Sequence, residues 1–118
     1  MLIKPNFSQQ RKQKSYEREI SRILYKIVQE NNLPSFSLSY CRLSVRGENL
    51  KVYLTFSYQA ERQKELLKII NQKYSVVVKK ELAKSKKFSY IPNLFFLFDQ
   101  ESAEMNALEE IIRKFKHS

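Results

Sequence analysis

Lys73, Lys80, Lys84 and Lys87 recur at spacings of seven, four and three residues, with Lys79 and Lys86 flanking them. On a 3.6-residue helix these ammonium groups gather on one side, while Tyr74, Val78 and Leu82 fall on the other. A row of lysines sets point charges against the phosphates of a polyanion, with little readout of bases. The pattern predicts a landing surface for an RNA backbone. Its candidate contacts are Lys73, Ser75, Val76, Lys79, Lys80, Lys84, Lys86 and Lys87. Val76 shares the face of Lys80 and Lys87, and Ser75 sits beside it. Lys4, Arg11, Lys12 and Lys14 form a second basic group near the start of the chain and are candidate accessory RNA contacts. Of a formal net charge of +10, residues 1–18 carry +4 and residues 73–90 carry +5. Charge clustered in this way raises the local potential and draws polyanions.

Catalytic chemistry has few candidates. His117 is the only histidine and lies in the C-terminal tail. Cys41, the only cysteine, sits in an expected strand with no histidine near it in sequence, and reads as a small core residue. The single glycine, Gly47, cannot build a phosphate-cradling loop of the Walker or dinucleotide type. Asp99 is better explained as a helix cap than as an acid. No metal-ligand spacing is present. Neither enzymatic activity, a cofactor nor a small-molecule substrate is expected.

The elements that must carry the lysines follow from periodicity. The 118 residues, 42% hydrophobic and 13% aromatic, suffice for one domain with a single core. No apolar run reaches the roughly 18 residues of a membrane span, and the opening MLIKPNFSQQRKQK is not a secretory signal. With one cysteine, this composition fits a reducing cytoplasm. Residues 1–14 read as a flexible basic arm, and residues 15–118 as one domain. Ser15 caps a helix whose stripe is Ile20, Ile23, Leu24, Ile27 and Val28, stopped by Asn31-Asn32 and Pro34. Ser35 to Arg46 alternates but changes phase, which predicts a bulge near Tyr40-Cys41. Arg46-Gly47-Glu48-Asn49 turns the chain into a second strand alternating from Leu50 to Tyr58. A second helix begins at Gln59 or Ala60, with Leu66, Leu67, Ile69, Ile70 and Tyr74 as its buried stripe. Three β-branched residues, Val76 to Val78, predict a kink or junction at Tyr74–Val76. Pro92 opens a third strand, Leu94 to Phe98, that is apolar on both faces. A last helix over 103–115, with Met105, Leu108, Ile111, Ile112 and Phe115 on one stripe, is expected to cover one of them. The sum is an α+β domain of order helix, strand, strand, helix, kink, helix, strand, helix.

The RRM strand signature is absent, whereas a KH domain fits this order, although no glycine supplies its GXXG clamp. The stretch Lys84-Ser85-Lys86-Lys87-Phe88-Ser89-Tyr90-Ile91-Pro92-Asn93-Leu94-Phe95-Phe96-Leu97-Phe98-Asp99, with Ile20-Ser21-Arg22-Ile23-Leu24, Leu43-Ser44-Val45 and Val52-Tyr53-Leu54 upstream, resembles the bacterial ribosome-binding factor A family. The resemblance covers roughly residues 15–112. It implies a type II KH-like fold, with a three-stranded sheet covered by helices and a helical kink in place of the glycine loop. The family's kink carries alanine or glycine where Tyr74, Ser75 and Val76 stand here. It further implies a monomeric, non-enzymatic factor that binds the free small ribosomal subunit, assists late maturation and processing of its 16S rRNA, and matters for growth in the cold. Two other readings fit the charge: another KH-like RNA-binding or ribosomal protein, and a protein-interaction domain with an acidic partner.

Overall fold

The first helix is longer than its stripe predicts. In the computed structural model, which describes residues 7–56 and 63–99, α1 runs from Phe7 to Asn31. The later part of the expected arm is therefore helix, and Ser15 lies exposed within it rather than capping it. The reason is tertiary. Gln9 donates through Nε2 to the carbonyl of Ser44. Gln13 accepts the N–H of Leu43, and Glu17 accepts the N–H of Cys41. These three residues lie on one helical face and satisfy the free edge of β1 (Phe36–Leu43), which would otherwise expose unpaired backbone groups. The helix ends as expected: Asn32 takes a left-handed φ of 51°, and the Leu33 N–H reaches back to the Val28 carbonyl.

β1 pairs antiparallel with β2 (Asn49–Phe56), and β2 pairs parallel with β3 (Asn93–Phe98), in the order β1-β2-β3. The phase change in β1 is a register shift between Leu38 and Tyr40. The extra residue, Ser39, hydrogen-bonds the Thr55 hydroxyl. Tyr40 thereby faces away from the helices and stacks on Tyr53, ring centroids 4.4 Å apart, while Phe36 and Cys41 are buried on the helical side. Gly47 holds a φ of 74° in the hairpin turn, a conformation that favours glycine.

α2 (Gln63–Ile69) and α3 (Ser75–Lys84) flank a π-helical turn, Ile70–Tyr74. The kink expected at Tyr74–Val76 is instead a π turn just before it, closed at Ser75, whose N–H bonds the Ile70 carbonyl five residues back, while Val76 to Val78 continue as regular α-helix. Asn71 explains its place. Its amide accepts the Phe96 N–H at 2.8 Å and donates to the Phe96 carbonyl at 2.9 Å, so the turn is fastened to the outer edge of β3. The Ser75 hydroxyl also bonds the Asn71 carbonyl.

Helices cover one face of the sheet. Ile20, Leu24, Leu50, Leu54, Ile70, Val78, Leu82 and Phe96 form the centre of the core. Leu66, Ile70 and Tyr74 are buried as expected, but Ile69 is exposed, because the π turn rotates the stripe away from it. On the opposite face of β3, Phe95 is exposed and Leu97 is half-buried. The start of the second helix before Gln63, Tyr58, His117, the arm as far as residue 6 and the helix expected over 103–115 lie outside the described residues, as does any capping of that helix by Asp99. Among the described residues, no helix is long and apolar enough to cross a membrane, and no group of three or more acids, histidines or cysteines could hold a metal.

Candidate nucleic-acid interface

α3 is amphipathic in the predicted sense. Tyr74, Val78 and Leu82 anchor it, while Lys79, Lys80 and Lys84 stand exposed on its outer flank. Lys80 and Lys84 are one turn apart, about 5–6 Å between Cβ atoms on a regular helix. Val76 lies one turn before Lys80 and is 52% exposed. Lys73 sits in the π turn, with its Nζ 5.4 Å from the Tyr74 ring centroid. Ser75 is half-buried and its hydroxyl is committed to the Asn71 carbonyl, so it shapes the turn rather than presenting a donor. Among the described residues, Lys73, Lys79, Lys80 and Lys86 form no ion pair, and Lys84 meets Glu81 at 3.5 Å in an exposed pair. Such pairs contribute ~0–1 kcal/mol and leave the lysine available.

Lys87 departs from the expected ridge. α3 stops at Lys84, Ser85 caps it, and Lys86 adopts a left-handed φ of 57°. The chain turns there, so helical spacing no longer carries Lys87 onto the flank of Lys80. Lys87 Nζ instead meets Glu19 Oε2 of α1 at 3.0 Å. Glu19 is 5% exposed and also accepts from Arg22; Arg22 first, then Lys87, hold its carboxyl below the ordinary glutamate range. A buried carboxylate requires such partners. Lys86 stays exposed at the bend.

The same bend brings together residues that are distant in sequence. Tyr16 donates through its hydroxyl to the Tyr90 carbonyl at 2.8 Å and stacks on Phe88 at 4.4 Å. Burial, then Tyr90, pushes the Tyr16 phenol upward. A cleft of about 670 Å³ opens between the first half of α1, the hairpin turn and this segment. Of the accessory candidates, Arg11 and Lys12 line it, Lys14 is exposed on α1, and Lys4 lies outside the described residues. Arg18, Arg46 and Tyr90 also line it and were not among the sequence candidates. Arg46 reads in sequence only as a turn residue, and nothing local signals the others. Cys41 is fully buried, and burial, then Glu17, raise its thiol pKa far above the ordinary range, so it carries no nucleophile.

A helix, an antiparallel hairpin, two helices joined by a kink and a parallel third strand define a KH-like α+β domain. The family model described as Ribosome-binding factor A matches residues 8–112, and the chain belongs to that family. It is a family of ribosome-binding factors, not of enzymes. A Ribosome-binding factor A of Xanthomonas axonopodis pv. citri (strain 306) is 27% identical over 96 residues, spanning 81% of this chain and 72% of its own. The crystal structure of ribosome-binding factor A from Thermus thermophilus superposes with a TM-score of 0.60 at 19% identity, covering 76% of this chain and 93% of that one. A Thermotoga maritima protein solved by solution NMR gives a TM-score of 0.55 at 24% identity, over 69% and 80% of the two chains.

Proposed function

We propose that this protein binds the free small (30S) ribosomal subunit through the rRNA backbone and assists late maturation and processing of 16S rRNA. Family membership supports the ribosomal target. The observation that carries the contact surface is the outer flank of α3 and its π turn. There Lys73, Lys79 and Lys80 stand exposed without ion pairs among the described residues, Lys84 is only loosely paired, and Lys86 stays exposed at the bend that follows. Arg11, Lys12 and Lys14 extend the cationic surface along α1. On the same reading it is a cytoplasmic monomer whose activity is associated with growth in the cold.

Four to five lysine–phosphate contacts give a log–log salt slope of about −3 to −3.5 on single-stranded RNA. The double variant Lys80→Glu with Lys84→Glu should flatten that slope and release the protein from purified small subunits in sedimentation, with its melting temperature unchanged. Unaltered affinity across a salt titration would refute the assignment of this flank.

A further inference from the structure

We propose that the cleft between α1, the hairpin turn and the Lys86–Tyr90 bend holds unpaired nucleotides of a single-stranded RNA, with one base stacked on Tyr90. The inference rests on the RNA-binding reading above but assigns a second surface, which begins where the lysine flank ends.

Five cationic side chains line the cleft, Arg11, Lys12, Arg18, Arg46 and Lys87, against one carboxylate, Glu19. That carboxylate is already neutralised by Arg22 and Lys87. Among the described residues, Arg11, Lys12, Arg18 and Arg46 form no ion pair. Three of these four are arginines, whose planar fork grips a phosphate with two hydrogen bonds where a lysine offers a point charge. Tyr90 supplies the complementary element. Its backbone is pinned by the Tyr16 hydroxyl, yet its side of the cleft is open, the residue is 56% exposed, and its ring stacks on no other ring among the described residues. An aromatic platform carried on a pinned backbone inside a concave cationic wall is how proteins hold single strands, with bases stacking while the groove tracks the phosphates. A paired A-form helix presents its phosphates on a convex surface and hides its base faces, so it could not use Tyr90. An acidic peptide would satisfy the arginines but has no use for the ring.

The walls are built to last. Gln9 ties α1 to the hairpin turn, and Tyr16 with Phe88 ties α1 to the bend. The cleft is therefore formed before any ligand arrives, which lowers the ordering cost of binding.

The test uses the full chain and a short fluorescein-labelled oligouridylate, read by anisotropy over a salt series, with small-subunit sedimentation in parallel. Tyr90→Ala is expected to weaken oligonucleotide binding by about 10-fold without changing the salt slope, because one stack is lost and no charge. Tyr90→Phe is expected to retain affinity within about twofold, since the ring is kept. Arg46→Glu is expected to weaken binding and to reduce the slope by about 1 or more. Melting temperatures should not move, because both side chains are exposed. Wild-type protein that fails to bind the oligonucleotide, or Tyr90→Ala protein that binds it as tightly as wild type, overturns the cleft assignment. In either case, subunit retention that is lost in the Lys80→Glu, Lys84→Glu variant would leave the proposed function standing. Conversely, Tyr90-dependent oligonucleotide binding by a protein that does not sediment with subunits supports the cleft and removes the ribosomal reading.

Discussion

Replacing Asn71 by alanine removes the amide that fastens the π turn to β3. Two hydrogen bonds to Phe96 disappear, at 2.8 and 2.9 Å. Phe96 is fully buried and β3 lies at the edge of the sheet formed by the described residues, so no neighbouring strand among them can take over that N–H and carbonyl. A protein hydrogen bond contributes ~1 kcal/mol net, and a buried group left without a partner costs ~1–3 kcal/mol. The expected loss is about 3 kcal/mol, offset by about 0.5 kcal/mol of better helix propensity in Asn71→Ala. A net loss of about 2.5 kcal/mol lowers the melting temperature by about 10 °C in a domain of this size. Urea titration and thermal melts measure the sum, and amide exchange at Phe96 assigns it to the edge contact. Wild-type protection of the Phe96 amide in the variant, or a loss below about 0.5 kcal/mol, would show that something other than Asn71 places the π turn.

Leu82→Ala should cost about 2–5 kcal/mol, because Leu82 is fully buried, whereas Val76→Ala should be neutral or slightly stabilising in a half-exposed helical position; paired urea titrations check the contrast. Glu19→Gln should destabilise the protein by about 1 kcal/mol at neutral pH, since Arg22 and Lys87 are largely exposed and water replaces much of their pairing. The folded carboxyl lies below the ordinary value of 4.5, so its contribution is present above that value and is lost as pH falls through the folded one. Melts of wild type and variant should therefore converge on acidification. Cys41 should resist a thiol reagent in the folded protein and react once it is unfolded in urea, because burial keeps the thiol protonated and enclosed.

Local pattern determined most of the architecture. The 3.6-residue stripes of Ile20 to Val28 and of Tyr74, Val78 and Leu82 require burial against other elements of the fold. The change of phase near Tyr40-Cys41 calls for a bulge, and the strand pairing sets it at Ser39. The lysines at 79, 80 and 84 were legible for the same reason, since a helix with one face buried must expose the other. Only the tertiary structure decided where α1 begins, where the second helix bends and how the chain leaves α3. Gln9 and Gln13 extend α1 toward Phe7 because β1 offers them a bare edge, and Asn71 places a π turn at Ile70–Tyr74 because Phe96 stands beside it. Lys87 leaves the ridge because a buried Glu19 draws it, and the cleft around Arg18, Arg46 and Tyr90 exists only once the bend at Lys86 has folded back onto α1. Periodicity is a property of neighbours along the chain; a hydrogen bond or ion pair between distant segments depends on where folding sets them, and no local pattern encodes it.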